Sequence, residues 1–342
     1  MKHAPQTMEL GTMCKVVGVL VLLMVLIAGV FSTCFHVLRN RDKRRETFAN
    51  PANPMTPSVQ KVSADDLQFF ETDARDSPAD MYDATYAHLH YSLFDMPKRK
   101  VTEFECVDFK EIGRLAEYGS KAVLLDIGCG AGSHLKQFCR LAPRATLFGL
   151  DQSTDMLQLA ESKLGPAASD VRFMRGDMEE PNIFHEKMFT HITCYSFTIY
   201  YSDNLRTFFE NTHNWLKTGG HLCVHAVDPR LFNPVPLVAN PIKGIPLQKY
   251  MNPRKTDARV YFQTFLYESD FEYDEAKNRA SFHESIIYPK DEYVRTHTHH
   301  YNMPPYDTLI QIARKCGFKL RHITKMKEIG VDSEYLCYFQ KR

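Results

Sequence analysis

From Ala122 to Val227 the hydrophobic period switches back and forth, and this constrains the fold more than any other feature of the chain. Short apolar runs at Ala122–Ile127, Thr146–Leu150, Val171–Met174, Phe189–Phe197 and His221–Val227 read as strands. Between them, Ser133–Leu141, Thr154–Lys163 and Leu205–Trp215 carry helical spacing. Strands that take turns with helices build a doubly wound, mostly parallel α/β sheet with helices on both faces, because a parallel neighbour is reached only through a crossover lying on the sheet. The helical "YDTLIQIARKCGFKL", closed by Gly317, and the strand-like "EYLCYF" complete the sheet.

Two segments with helical spacing precede this core, "MYDATYAHLHYSLF" with Tyr82, Tyr86, Leu89 and Leu93 in step, and Glu103–Tyr118. After Asp228 the pattern changes. A Pro-rich section leads into aromatic-rich alternating segments around Arg259–Phe271, Ala280–Tyr288 and Tyr293–Tyr301, which read as an inserted antiparallel β meander. The body is therefore expected over 79–342, with 229–303 as an inserted substrate cap.

At the other end, Val16 to Phe35 is twenty residues without a charge, enough as helix to cross a bilayer core. Arg39, Arg41, Lys43, Arg44 and Arg45 follow it, so the positive-inside rule places the C-terminal body in the cytosol. A cleaved signal peptide is the rival reading, but the apolar run is long and no clear small-x-small site precedes the basic cluster. The expected order is a tail at 1–15, a single-pass transmembrane helix at 16–38, and a basic, Pro- and Asn-rich flexible linker at 39–78. A formal charge of +1 provides no general field for nucleic acid. Nine cysteines without a C-x-x-C pair argue against a disulfide framework and a tetrahedral zinc site.

The stretch "LLDIGCGAGSHL" sets Gly128, Gly130 and Gly132 between a strand and a helix. A dinucleotide loop reads G-x-G-x-x-G, and its third glycine would fall at Ser133, so this spacing fits that ligand poorly. Asp126, two positions before Gly128, can accept hydrogen bonds from an ammonium group. The loop suits a nucleoside with a cationic tail.

Four motifs in order, "LLDIGCGAG", "LFGLDQS", "RFMRGDMEE" and "LKTGGHLCV", resemble those of the class I S-adenosylmethionine-dependent methyltransferases, a superfamily with a seven-stranded Rossmann-like sheet. The resemblance covers roughly Val123 to Val227 plus the terminal helix and strand. It implies S-adenosyl-L-methionine as cofactor, with Asp151 accepting both ribose hydroxyls and Asp177 the adenine amino hydrogens. Met178 would cover the ring, the three glycines and Asp126 would face the methionyl part, and Gln152 and Tyr195 would complete the cofactor set. Asp151 as a helix cap and Asp177 as a turn residue are the plainer alternatives.

Methyl transfer from a sulfonium is an in-line displacement, so alignment and a deprotonated acceptor in a dry pocket can supply most of the catalysis. Tyr195, Ser196, Tyr200 and Tyr201 lie near the end of the fourth strand, and His225 closes the fifth. His225 and Tyr200 are the catalytic candidates, His225 as a general base near neutrality. Thr190 stands where the superfamily commonly has Asp, and the Asn/Asp-Pro-Pro-Tyr element is missing. His297, His299 and His300 lack metal-ligand spacing, so they are expected to be solvated strand residues or to lend one base to the pocket, with no metal. Tyr82 and Tyr86 could form a lid, and Tyr261, Phe262, Phe265, Tyr267, Phe271 and Tyr273 could line the acceptor pocket.

The leading expectation is a membrane-anchored methyltransferase acting on a small-molecule or lipid-like acceptor. An RNA-cap guanine methyltransferase is the alternative enzyme. A catalytically silent cofactor-binding or interaction module at a membrane is the alternative of another class.

Overall fold

A computed structural model of the chain describes residues 70–232, 234–236, 255–331 and 333–342. Its larger sheet runs in the order β4 (Val171–Arg175), β3 (Thr146–Asp151), β2 (Val123–Ile127), β5 (Phe189–Cys194), β6 (Leu216–Val227), β12 (Glu334–Lys341) and β11 (Phe318–Lys325). The five strands from β4 to β6 are parallel, and β12 runs antiparallel to both its neighbours. Every residue of β5 is buried, as are four of the five in β2, because helices cover both sheet faces. This is the Rossmann-like mixed α/β fold expected from the alternation.

Helices α5 (Ser133–Leu141), α6 (Thr154–Leu164) and α7 (Leu205–Trp215) make the crossovers. Their caps are local and legible: Ser153 accepts from Met156 N, and Asn204 from Thr207 N. The apolar sides of these helices bury Phe138, Leu157, Phe208 and Trp215 against the sheet. Preceding them, α3 (Arg99–Ile112) stops at Gly113, and Arg114 turns left-handed at φ 56 before the short α4 (Leu115–Tyr118). The helical segment expected over Glu103–Tyr118 is thus broken in two.

A second sheet holds β1 (Glu71–Arg75), β10 (Tyr293–Asn302), β9 (Arg279–Tyr288), β8 (Leu266–Asp274) and β7 (Asp257–Tyr261), in that order. Strands β7 to β10 are the antiparallel meander, and β1 joins its edge in parallel. Composition assigned 71–75 to the flexible linker; pairing with β10 makes it a cap strand instead. Before β1 leads into α2 (Ala84–His90), the single turn α1 (Pro78–Met81) intervenes. Buried Arg295 of β10 donates to Asp83 at 2.9 Å and to Met81 O at 2.7 Å, while Ser153 Oγ donates to Tyr82 O at 2.5 Å. These bonds hold Tyr82 and Tyr86 between the cap sheet and the start of α6.

The expectation of a membrane-localised, single-pass protein is corrected. Among the described residues no helix is long and apolar enough to cross a membrane. The segment 16–38, on which that expectation rested, lies outside the described residues, as do 1–15 and most of 39–78.

Candidate active site

The loop after β2 is held by its neighbour strand: Gly128 N and Cys129 N both donate to Leu150 O, at 2.8 and 3.0 Å. All three glycines have positive φ, which L side chains resist, yet their surroundings differ. A Cβ on Gly128 would meet Thr198 Cγ2 at 2.2 Å, and one on Gly132 would meet Leu164 Cδ1 at 2.7 Å. A Cβ on Gly130 would meet nothing within 4 Å. Gly130 is therefore open to the cavity, whereas Gly132 serves the packing of loop on α6 and does not line it, contrary to the shared role expected of the three.

That cavity, of about 330 Å³, runs from the loop to the cap. On the sheet side it is walled by Gly128, Gly130, Asp151, Gln152, Gly176 and Met178, and at the end of β5 by Tyr195 and Ser196. Asp151 Oδ2 accepts from Gly130 N at 2.8 Å and Oδ1 from Ser153 N at 3.0 Å. Ser153, not Asp151, caps α6. Burial raises the Asp151 pKa, and the bonds from Ser153, Gly130 and Gln152 oppose that shift.

Two carboxylates expected at the ligand stand behind the wall. Asp177, between the lining residues Gly176 and Met178, accepts from Gln152 Nε2 and Glu179 N, both at 2.8 Å. Asp126 is buried beside Ile127; Thr193 donates to its Oδ1 at 2.8 Å, while its Oδ2 has no partner. Burial pushes the Asp126 carboxyl up to about 6. Lys98, which sequence reasoning passed over, is the only lysine or arginine among the described residues lining the cavity. No local motif marks it; its position follows from how α3 packs.

The two catalytic candidates land elsewhere than expected. Tyr200 is fully buried and does not line the cavity; its hydroxyl accepts from Val227 N at 2.8 Å, tying the turn after β5 to the end of β6. That turn exists because β5 stops at Cys194 rather than Phe197, with Ser196 and Phe197 left-handed at φ 49 and 66. His225 does line the cavity, but between two carboxylates. Its Nε2 donates to Glu334 Oε2 at 2.9 Å, and its Nδ1 lies 3.0 Å from Glu105 Oε1 at an angle short of a good hydrogen bond. Burial lowers the His225 pKa, but Glu105 and Glu334 outweigh it and hold it at about 9. A histidine charged at neutrality is no general base there, so that expectation is corrected. Glu105 also accepts from His134 at 2.8 Å, and the two histidines overcome burial to hold it at about 2.

The cap contributes a cluster that spacing did not reveal. His297 and His299 are buried, not solvated, and only His300 of the three is exposed. They converge with Glu284 of the neighbouring strand β9, ligand atoms lying within 4.8 Å of one another, a set that could hold a metal ion. The hydrogen bonds assign protons there instead. Arg295 Nε donates to His297 Nε2 at 2.8 Å, so the proton of neutral His297 sits on Nδ1, which faces Glu284 at 3.7 Å. Of the six aromatics expected to line an acceptor pocket none does so; Phe232, Phe282 and Tyr301 do, together with Tyr82 and Tyr86. Alternation along a strand turns the expected residues to its other face or beyond the cavity.

A family model described as a methyltransferase domain matches residues 124–220. In structure, the chain is similar to the CcbJ methyltransferase from Streptomyces caelestis, with a TM-score of 0.52 at 14% identity over 66% of this chain and 86% of that one. It is equally similar to an S-adenosylmethionine-dependent methyltransferase from Clostridium acetobutylicum, at 0.52 and 15% identity over 75% and 98%. In sequence, it is 29% identical to a malonyl-[acyl-carrier protein] O-methyltransferase of Priestia megaterium over 105 residues, 31% of this chain and 36% of that protein. The chain spans about a third or less of the length of the curated relatives it matches. Residues 124–220 are thus similar in sequence to a methyltransferase domain, and the chain shares the fold of these solved structures. The residues present fit S-adenosyl-L-methionine: Gly130 leaves open space beside Asp151, and both line the cavity.

Proposed function

We propose that the protein transfers a methyl group from S-adenosylmethionine to a small-molecule acceptor held between the glycine loop and the cap sheet. The observation that carries this reading is a single cavity lined by Gly130 and Asp151 at one side and by Glu284, His299 and Tyr201 at the other. Bound there, the cofactor supplies an electrophilic methyl group on a sulfonium. Asp151 holds the ribose, and Met178 with Gly176 covers the base. Asp177, through its bond to Gln152, positions that edge of the site, while Asp126 and Lys98 complement the charges of the methionyl end. Tyr82 and Tyr86 exclude water from above, and charged His225 keeps Glu105 and Glu334 from repelling one another.

Titrating the full chain with S-adenosylmethionine and with NAD, then screening acceptors with labelled methyl donor, tests the reading. Binding of S-adenosylmethionine without NAD, followed by label transfer, is the expected result. NAD binding in its place would overturn it.

A further inference from the structure

Glu284 accepts from the Tyr86 hydroxyl and from His299 Nε2 (2.8 Å) on one oxygen, and from the Tyr267 hydroxyl (2.5 Å) on the other. Three donors converge on its two oxygens, so Glu284 acts there as an acceptor only. His299 must then donate through Nε2, and neutral His299 keeps its lone pair on Nδ1. That lone pair faces the Tyr201 hydroxyl at 2.6 Å. Tyr201 Oη in turn lies 3.3 Å from the hydroxyls of both Tyr82 and Tyr301. Carboxylate, imidazole and phenol form one directed chain, and each of them lines the cavity that also holds Gly130 and Asp151.

We infer that Glu284, His299 and Tyr201 are a proton relay that activates the methyl acceptor, and that the acceptor is a flat, neutral molecule carrying a phenol-type or enol-type hydroxyl. This deepens the methyltransferase reading and rests on it for the methyl donor. In the step, the acceptor O–H proton passes to Tyr201 Oη as the Tyr201 proton moves to His299 Nδ1. The freed electron pair forms the O–CH₃ bond, and the S–CH₃ bond breaks with its pair passing to sulfur. The proton ends on an imidazolium paired with Glu284, and the sulfonium charge is discharged. Tyr201 is half-buried, and desolvation pushes its hydroxyl pKa up, which suits an exchanger of protons rather than a standing phenolate.

The acceptor class follows from charge and shape. Lys98 and charged His225 offset Glu105 and Glu334 elsewhere in the lining, but at the acceptor end the Glu284 carboxylate stands beside His299 and Tyr201, so an acceptor arriving there as an anion is disfavoured. The same field would hold an amine in its ammonium form, without the lone pair that attacks methyl. A phenol-type hydroxyl, with a pKa of about 10, lies within reach of a histidine base, as an ordinary alcohol does not. Tyr82, Phe94, Phe197, Phe232 and Phe282 in the walls match a planar ring.

The test uses 4-nitrophenol, whose phenolate absorbs at longer wavelength than the phenol, added to the full chain at a pH below the probe's own pKa. Wild-type protein is expected to bind the probe largely as phenolate. His299→Gln and the milder Tyr201→Phe, which removes one oxygen, are each expected to lower the bound phenolate fraction about tenfold. Calorimetry run alongside is expected to show S-adenosylmethionine affinity unchanged within about twofold in both variants, since the hydrogen bonds of both side chains go to Tyr82, Tyr301, Glu284 and each other rather than to the glycine loop. Equal phenolate fractions in wild type and both variants, or no bound probe, would overturn the relay. Failure of the wild type to bind S-adenosylmethionine would instead sink the methyltransferase reading, and the absorbance result would still judge the relay by itself.

Discussion

Gly130 N donates to Asp151 Oδ2 across 2.8 Å, so the carboxylate ending β3 is tied to the apex of the glycine loop by the protein itself. One residue thus shapes the loop and presents an acceptor to the cavity. Removing it should act on both. Asp151→Ala is expected to weaken S-adenosylmethionine binding about 100-fold, the scale of one or two charge-assisted hydrogen bonds. Calorimetric titration of wild type and variant reads this out, and affinities within a factor of two would remove Asp151 from the ribose.

The contrast between two loop glycines is a sharper test of the cavity. Gly128→Ala drives a methyl to 2.2 Å from Thr198 in left-handed backbone, and should cost on the order of 3 kcal/mol of stability. Gly130→Ala meets no protein atom within 4 Å. It should cost only about 1 kcal/mol in backbone strain, while S-adenosylmethionine affinity falls because the methyl occupies ligand space. Denaturant melts paired with binding isotherms separate the two, and an unaffected affinity in Gly130→Ala would mean that the ligand lies elsewhere.

Buried His225 gives stability a defined pH dependence. Its folded pKa of about 9 is raised above 6.5, so its contribution is complete below pH 6.5 and lost as pH rises through 9. Glu105, held at about 2 against 4.5, contributes above pH 4.5 and loses that contribution as pH falls through 2. The cluster therefore stabilises most between 4.5 and 6.5, and its alkaline limb is worth about 3 kcal/mol. Urea unfolding across pH 6.5 to 9 should show the decline in wild type, and a flatter profile at lower stability in His225→Asn. A wild-type profile with no decline over that range would show that His225 is not held charged.

Tyr200→Phe separates a structural tyrosine from a catalytic one. It leaves Val227 N without its acceptor in a buried place, which should cost about 1 to 3 kcal/mol. S-adenosylmethionine affinity should stay within about twofold, since Tyr200 does not line the cavity. An affinity loss at unchanged stability would return Tyr200 to the site.

What could be read from sequence was whatever depends on neighbours along the chain. Alternating periods over 122–227 determined the doubly wound sheet, because burial on one or both faces of an element is written in the spacing of its apolar residues. The glycine triplet and the strand-end Asp151 were likewise legible, since a left-handed loop demands glycine and a parallel strand's carboxyl end meets the crevice. Tertiary structure alone decided the rest. His225 looks like a free base until α3 brings Glu105 and β12 brings Glu334 to either side of it. His299 looks like one histidine in a polar run until β9 places Glu284 at Nε2 and the turn after β5 places Tyr201 at Nδ1. A side chain's proton state is set by groups 2.6 to 3.0 Å away in space, which here lie between 15 and 120 positions away in sequence, and no local pattern records that distance.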